Sequence, residues 1–202
     1  MLLNLKSHVG MNALQVREAA AQTLGGIVLP DQAKEKPSEG TVVSAGPGKL
    51  DPTTNVLIPM PVEAGSRVLY GKFDGAKVNY NGVEHTLIRD EDILLTYTGE
   101  ELTLAGVTPM WDRMLVKVAK EGEATASGIM VAPTSGGSSK PSEGEVVAVG
   151  NGKIAANGSP VPMAVSVGEW VKFRDYAGSE VRIEGSDYIV VRAGECLAKW
   201  EP

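Results

Sequence analysis

The sequence is poor in the residues from which most catalytic and metal sites are built. It has one cysteine, Cys196, and two histidines, His8 and His85, among 202 residues. A single cysteine excludes an internal disulfide framework and is typical of a reducing compartment. Zinc sites need three or four suitably spaced ligands, which this set does not provide. We expect Cys196 to be a small buried side chain in a strand.

Positive charge and long apolar runs are also scarce. The chain has 19 Lys and Arg against 25 Asp and Glu, for a net charge of -6. Phosphate binding needs a basic surface, so nucleic acid is not an expected partner. No apolar run approaches the roughly 18 residues of a membrane span, so no membrane partner is expected either. The 24 glycines and 12 prolines instead indicate many turns and short strands.

The first six residues, MLLNLK, have no basic start and no long apolar run, so they do not resemble a secretory signal. They also lack the arginine- and serine-rich composition of an organellar transit peptide. Two expectations remain open: a cytosolic protein, or a protein from which a transit segment has been removed.

The dominant feature is an internal repeat with a period of about one hundred residues. Residues 37–49, PSEGTVVSAGPGK, match residues 141–153, PSEGEVVAVGNGK. Further matched pairs follow in the same order: Met60 and Met163, Val62 and Val165, Gly65 and Gly168, Val68 and Val171, Gly75 and Gly178, Val78 and Val181, Gly82 and Gly185, Arg89 and Arg192, Leu94 and Leu197. The repeat predicts two domains, at residues 1–98 and 109–202, joined by a linker at residues 99–108.

Each copy is predicted to be all-β. Residues 114–118, MLVKV, predict a first strand, matched in copy one by residues 13–17, and residues 145–150 are rich in β-branched side chains. Asn157-Gly158 is a hairpin-type dipeptide and predicts a small hairpin at residues 151–161. Short strands with turn signals every eight to twelve residues or so indicate a small barrel or sandwich.

Candidate enzymatic motifs are either incomplete or absent from one of the two copies. Residues 46–49 and 150–153 resemble phosphate-binding loops, but they lack the GxxxxGK[ST] spacing and no helix pattern follows. The acidic run at residues 90–92 corresponds to Ala193, Gly194 and Glu195, so it is better explained as a solvated turn. We therefore predict no catalytic residues, no cofactor and no metal.

One apolar cluster in each copy lies in a segment too polar and glycine-rich to form a core. The two clusters, called the hooks, are Gly26, Ile27, Val28 and Leu29 in copy one and Gly128, Ile129, Met130 and Val131 in copy two. The alternative is that each is an ordinary core strand. Their polar, glycine- and proline-rich surroundings argue against it, and we predict that both hooks bind a partner protein.

Together these motifs resemble the GroES or chaperonin-10 family of co-chaperonins. The resemblance rests on residues 109–117 (PMWDRMLVK), the Gly-Ile hooks, the two Pro-Ser-Glu-Gly runs and residues 176–181 (YAGSEV). It covers nearly the whole chain twice, which is the arrangement of the tandem two-domain co-chaperonins of chloroplasts. Copy one departs from the pattern, because Gly10 and Met11 take the positions of Asp112 and Arg113.

The resemblance implies two GroES-like irregular β-barrels, each with a mobile loop carrying the hook and a roof hairpin. It implies that the chain is a co-chaperonin that caps the chaperonin-60 barrel, encloses an unfolded client protein and modulates the ATPase cycle. ATP would be bound by chaperonin-60. The remaining alternative is a tandem β-barrel adaptor that uses the same hooks on a different protein.

The resemblance also implies assembly with other co-chaperonin subunits, as a homo-oligomer or a mixed ring with single-domain co-chaperonins, in the chloroplast stroma. In such rings the first strand of one domain pairs with the last strand of the next. The expected strands are residues 114–118 and 196–200, with residues 13–17 and 93–97 as their counterparts in copy one.

Overall fold

The computed structural model describes residues 14–18, 38–71, 75–118 and 142–201. Both hooks lie outside these residues. Within them the chain is all-β, as predicted, with seventeen strands, three short 3-10 turns and no α-helix. The strands are β1 Leu14–Glu18, β2 Ser38–Ser44, β3 Lys49–Leu50, β4 Leu57–Ile58, β5 Arg67–Tyr70, β6 Ala76–Tyr80, β7 Val83–Ile88, β8 Ile93–Tyr97, β9 Val107–Pro109, β10 Arg113–Val118, β11 Glu143–Val149, β12 Lys153–Ile154, β13 Pro160–Val161, β14 Trp170–Phe173, β15 Ser179–Ile183, β16 Ser186–Arg192 and β17 Cys196–Trp200. The 3-10 turns are Asp90–Asp92, Leu104–Gly106 and Ala193–Glu195.

Both copies build a sheet with the same strand order. The copy-one sheet runs β6-β7-β1-β2-β5-β8-β9, and the copy-two sheet runs β15-β16-β10-β11-β14-β17. All neighbouring strands are antiparallel. The two orders agree strand by strand except for β9, which extends the copy-one sheet although it lies at the boundary between the predicted linker and the second domain. Part of that predicted linker is thus a 3-10 turn and the start of β9.

The predicted roof hairpins are present as β3–β4 and β12–β13. The turn of the second hairpin follows the Asn157-Gly158 signal, since Gly158 has a φ of 83° and donates to the Ala155 carbonyl. The two hairpins also touch each other, because the Thr54 hydroxyl donates to the Ala156 carbonyl.

The strand register corrects the predicted alignment of the first strands by one residue. Leu14 pairs with Ile88, and Met114 pairs with Val191, the counterpart of Ile88. Leu14, not Ala13, therefore corresponds to Met114. Counting back along the sequence, Asn12 and Ala13 correspond to Asp112 and Arg113, which corrects the predicted Gly10 and Met11 by two residues. Gln15 stands where copy two has the apolar Leu115, so the two first strands share fewer apolar positions by which to align them.

Buried apolar side chains form three clusters, of which one is common to both copies. One cluster lies in copy one and includes Met110, and another lies in copy two around Phe173. The shared cluster combines Leu69, Leu94, Leu95, Tyr97, Val107, Leu115, Val181, Ile183, Tyr188 and Val190. The two sheets are therefore packed against each other through apolar side chains from both copies.

Gly150 provides a test of how closely β11 packs against the start of copy two. A Cβ at this position would lie 2.2 Å from the Trp111 carbonyl oxygen and 2.8 Å from that of Pro109. We expect Gly150→Ala to lower the free energy of unfolding by about 1–3 kcal/mol, because the backbone must shift. Gly194→Ala is the control, since nothing lies within 4 Å of its Cβ position. Denaturant unfolding measures both, and equal effects would contradict the packing argument.

Candidate functional site

The described residues do not bring together catalytic or metal-binding groups. No set of three or more His, Cys, Asp and Glu in this part of the chain is placed to hold a metal ion. No helix found there is long and apolar enough to cross a membrane. Cys196 is half-buried against the copy-two cluster, less enclosed than predicted, and its thiol donates to the Ala198 carbonyl at 3.3 Å.

The most extensive interaction surface is the contact between the two copies, called here the internal seam. Its backbone part is the antiparallel pairing of β8 with β9, in which Leu95, Thr96 and Tyr97 face Pro109, Thr108 and Val107. The Met110 amide continues the ladder by donating to the Leu94 carbonyl at 3.0 Å. The last strand of copy one is therefore bound by the first strand of copy two.

The strand that makes this contact differs from the predicted one. Residues 114–118 lie within β10, which pairs with β11 and β16 of its own copy. The edge contact is made by β9, four residues earlier in the chain. Trp111, with a φ of 54°, turns the backbone between β9 and β10. The segment before β10 contains Pro109, Asp112 and Arg113 and has no strand pattern, so sequence reasoning assigned the edge contact to residues 114–118.

Arg113 ties copy two to the 3-10 turn of copy one. Its Nε donates to the Ile93 carbonyl at 3.1 Å, and its terminal nitrogen donates to the Glu91 carbonyl at 2.5 Å. The residue is buried, so these charge-assisted bonds are shielded from water. Arg192 donates to the same Glu91 carbonyl at 3.2 Å. Sequence reasoning singled out Arg113 but did not predict what it binds. It did not assign a role to Arg192, although an arginine at the same place in both copies could have indicated one.

Asp112 organises the copy-two side of the seam. Its buried carboxylate lies 3.1 Å from the Lys153 ammonium and 3.7 Å from the Arg192 guanidinium. Its carbonyl accepts a hydrogen bond from Ala193 at 2.8 Å. Lys153, which ends a loop with superficial likeness to a phosphate site, is thus an ion-pair partner of Asp112.

The segments carrying the hooks are attached to the sheets at equivalent places. Residues 19–37 connect β1 to β2, where Glu18 pairs with Gly40. Residues 119–141 connect β10 to β11, where Val118 pairs with Gly144. The hook residues themselves lie outside the described part of the chain, so their predicted role is untested.

The anchors beside the two hook segments differ in chemistry. In copy two, the Lys172 ammonium lies 2.8 Å from the Glu143 carboxylate and donates to the Ser142 hydroxyl at 2.8 Å. In copy one, the Tyr97 hydroxyl donates to the Glu39 carboxylate at 3.3 Å. Burial, and secondarily the Glu39 charge, raise the pKa of Tyr97.

Two similar β-sheet domains, joined edge to edge and each interrupted by a long segment after its first strand, define a tandem member of one family. The model of the chaperonin 10 kDa subunit matches residues 12–97 and 106–200, and the chain belongs to this family. This finding confirms the predicted family and its tandem arrangement.

Some named relatives match both copies of this chain, and others match a single copy. The chain is 36% identical over 186 residues to the 20 kDa chaperonin, chloroplastic, of Arabidopsis thaliana, covering 92% of this chain and 71% of the relative. It is 34% identical over 178 residues to the protein of the same name from Spinacia oleracea, covering 88% and 68%. Co-chaperonin GroES of Lawsonia intracellularis is 46% identical over 98 residues, 48% of this chain and 96% of the relative.

Arg113→Met tests the arginine contact across the internal seam. Methionine keeps the length and the apolar stem of the arginine side chain but not its N–H donors. The carbonyls of Ile93 and Glu91 therefore lose this donor. We expect the free energy of unfolding to fall by about 1.5–3 kcal/mol. Arg182→Met is the matched control, because Arg182 is exposed and makes a 3.4 Å bond to the Gly185 carbonyl. Denaturant titrations of the two variants should separate; overlapping curves would contradict the role of Arg113.

Tyr97 should make stability fall at alkaline pH. Its pKa is raised in the folded chain, so the phenol holds its proton to a higher pH when folded than when unfolded. The resulting stability is full below the ordinary value of about 10 and is lost as pH rises through the folded pKa. We expect the stability advantage of the wild type over Tyr97→Phe to shrink as the pH rises above about 10. Parallel stability profiles for the two proteins would contradict this.

Proposed function

We propose that this protein is a co-chaperonin that caps a chaperonin-60 ring, encloses an unfolded client protein and modulates the ATPase cycle of its partner. The observation that carries the proposal is the double family match, in which both copies keep the long segment between their first two paired strands. The chain has no catalytic role of its own, and the ATP is bound by chaperonin-60. The names of the plant relatives support a location in the chloroplast stroma.

The hooks are proposed to be the chaperonin-binding residues. They are Gly26, Ile27, Val28, Leu29, Gly128, Ile129, Met130 and Val131. Three buried aliphatic side chains contribute roughly 5–9 kcal/mol gross. Ordering the segment around them costs roughly 1–2 kcal/mol per residue, which offsets most of that gain. A single hook is therefore weak, and several on one assembly bind together because the later contacts are intramolecular.

The proposed assembly is a ring of these chains, alone or mixed with single-domain co-chaperonins. Among the described strands, β17 pairs with β14 and leaves its other edge open, whereas its counterpart β8 is paired on both sides. An open strand edge is a template for another chain. Ring formation brings enough hooks together for avidity, while weak single contacts allow the cap to leave.

Native mass spectrometry of the full chain with chaperonin-60 tests the proposed function. We expect a complex that forms with ATP or ADP and is lost without nucleotide, together with a changed steady-state ATPase rate. An intact chaperonin ring that takes up no co-chaperonin with either nucleotide would contradict the proposal. That result would favour the alternative of an adaptor that uses the hooks on another protein.

The two hooks are expected to differ in strength. Leu29 has one methylene more than Val131, worth about 0.8 kcal/mol if buried. Leu29→Ala should therefore weaken chaperonin binding more than Val131→Ala, by about fourfold for each hook engaged. Leu57→Ala, at an exposed position on the first roof hairpin, is the control for removing an apolar side chain. Equal or reversed losses in a binding titration would count against this ranking.

A further inference from the structure

The internal seam can be compared with the equivalent surfaces that the two copies leave exposed. Leu94 is 6% exposed inside the seam, and its counterpart Leu197 on β17 is 60% exposed. At the other end of the chain, Val78 is 37% exposed, and its counterpart Val181 is 6% exposed inside the seam. Each of the two surfaces that form the internal seam therefore has a counterpart elsewhere in the chain. One counterpart lies in copy one and the other in copy two, and both are exposed.

The repeated surfaces are more polar than the seam they copy. The β5–β8 and β14–β17 registers make Lys172 the counterpart of Leu69 and Ala198 the counterpart of Leu95. The β6–β7 and β15–β16 registers make His85 the counterpart of Tyr188. Leu69, Leu95 and Tyr188 all belong to the shared apolar cluster. A contact between chain ends would thus bury a lysine where the internal seam buries Leu69. His85, which stands in place of Tyr188, is already only 7% exposed within copy one.

Lys172 also has partners within its own chain. Its ammonium is held by the Glu143 carboxylate and the Ser142 hydroxyl, each at 2.8 Å. Covering it with another subunit removes water from a charge without supplying a new anion from the seam positions. Desolvation of a charged group opposes association, so this position weakens the contact.

One of the two seam arginines is also missing from the repeated surface. Arg192 has its counterpart in Arg89, but the residue before β1 that corresponds to Arg113 is Ala13. The internal seam satisfies the carbonyls of Glu91 and Ile93 with Arg113. Their counterparts in copy two are the carbonyls of Gly194 and Cys196, and a second copy of the chain offers them no such arginine.

We propose that a second copy of this chain docks head to tail on β17 through its β6–β7 hairpin, and that this contact is a weaker, more polar form of the internal seam. The inference rests on the proposed ring. It means that two kinds of contact alternate around the assembly, one covalently linked and apolar, the other reversible. The assembly then opens between chains and keeps each pair of domains together. Such a contact is heterologous, because different surfaces meet, and it closes only as a ring.

The place of the contact is tested by removing the exposed leucine. We expect Leu197→Ser to raise, by about tenfold or more, the concentration at which the full-length chain is half assembled, measured by mass photometry or sedimentation over a dilution series. Val167→Ser is the matched control, because Val167 is 59% exposed and its counterpart Ala64 is exposed as well. Equal effects of the two variants would overturn the assignment of β17 as the docking edge.

The weakness of the contact is tested by restoring the residues of the internal seam. We expect Lys172→Leu and Ala13→Arg each to lower the half-assembly concentration by about tenfold, since each supplies an interaction that the internal seam has. Lys77→Leu controls for a lysine-to-leucine change that breaks an ion pair, here the 2.7 Å contact with Glu84. Lys77 is on the β6–β7 hairpin, but its counterpart Glu180 stays exposed beside the internal seam, so this side of the hairpin lies outside the proposed contact.

The outcomes separate the inference from the proposed function. If Leu197→Ser prevents assembly but neither restoring variant strengthens it, the two-seam inference is wrong and the ring stands. If the restoring variants strengthen assembly, yet neither they nor the wild type bind chaperonin-60 with nucleotide, the proposed function is wrong and the two-seam inference stands. Tighter assembly of Lys172→Leu and Ala13→Arg, with Lys77→Leu unchanged, supports the inference.

Discussion

The pairing of β8 with β9 is the interaction on which the arrangement of this molecule depends. It places the last strand of one copy and the first strand of the next in a single sheet. Once that ladder forms, Leu95 and Tyr97 lie close enough to Ile183 and Tyr188 for one apolar cluster to span both copies. Burial of that cluster then opposes separation of the two domains, because separation would return its apolar surface to water.

Two adjacent charged residues at the seam make their contacts in different copies. Asp112 keeps its contacts inside copy two, where it neutralises Lys153 and faces Arg192. The adjacent Arg113 reaches the other way and satisfies two carbonyls of copy one. Asp112 ends the turn before β10 and Arg113 is the first residue of β10, so two adjacent residues make contacts in two different copies. The pair therefore fixes the orientation of the copies as well as their proximity.

A tandem chain solves part of an assembly problem by covalent linkage. Two domains in one polypeptide meet at a high effective concentration, so their contact forms without a second chain. The linked contact can be strong without cost to reversibility, since it never has to release a subunit. A contact between chains in the proposed ring has no such linkage, so it has to release a subunit whenever the ring opens. The polarity difference between Leu69 and Lys172 is consistent with these two requirements.

Much of the fold could be predicted from the sequence because it depends on residues that are close together in the chain. Short-range residue patterns predict the repeat, the all-β class and the Asn157-Gly158 hairpin. The same patterns identify the counterparts of Arg192 and Leu197. The predicted hooks and the domain limits also come from such patterns, and they stay predictions because the described residues do not test them. Where copy one lost its apolar residues, at Gln15, the pattern failed and the register slipped by one.

Residue patterns alone thus establish the two-domain, all-β organisation and the apolar segments set apart from it. The strand that crosses between the copies and the groups that Arg113 binds follow only from the folded arrangement. The physical reason is that strand pairing and carbonyl acceptors are non-local. A backbone carbonyl such as that of Ile93 has no residue-specific signature, and a strand edge accepts any partner that the fold brings to it.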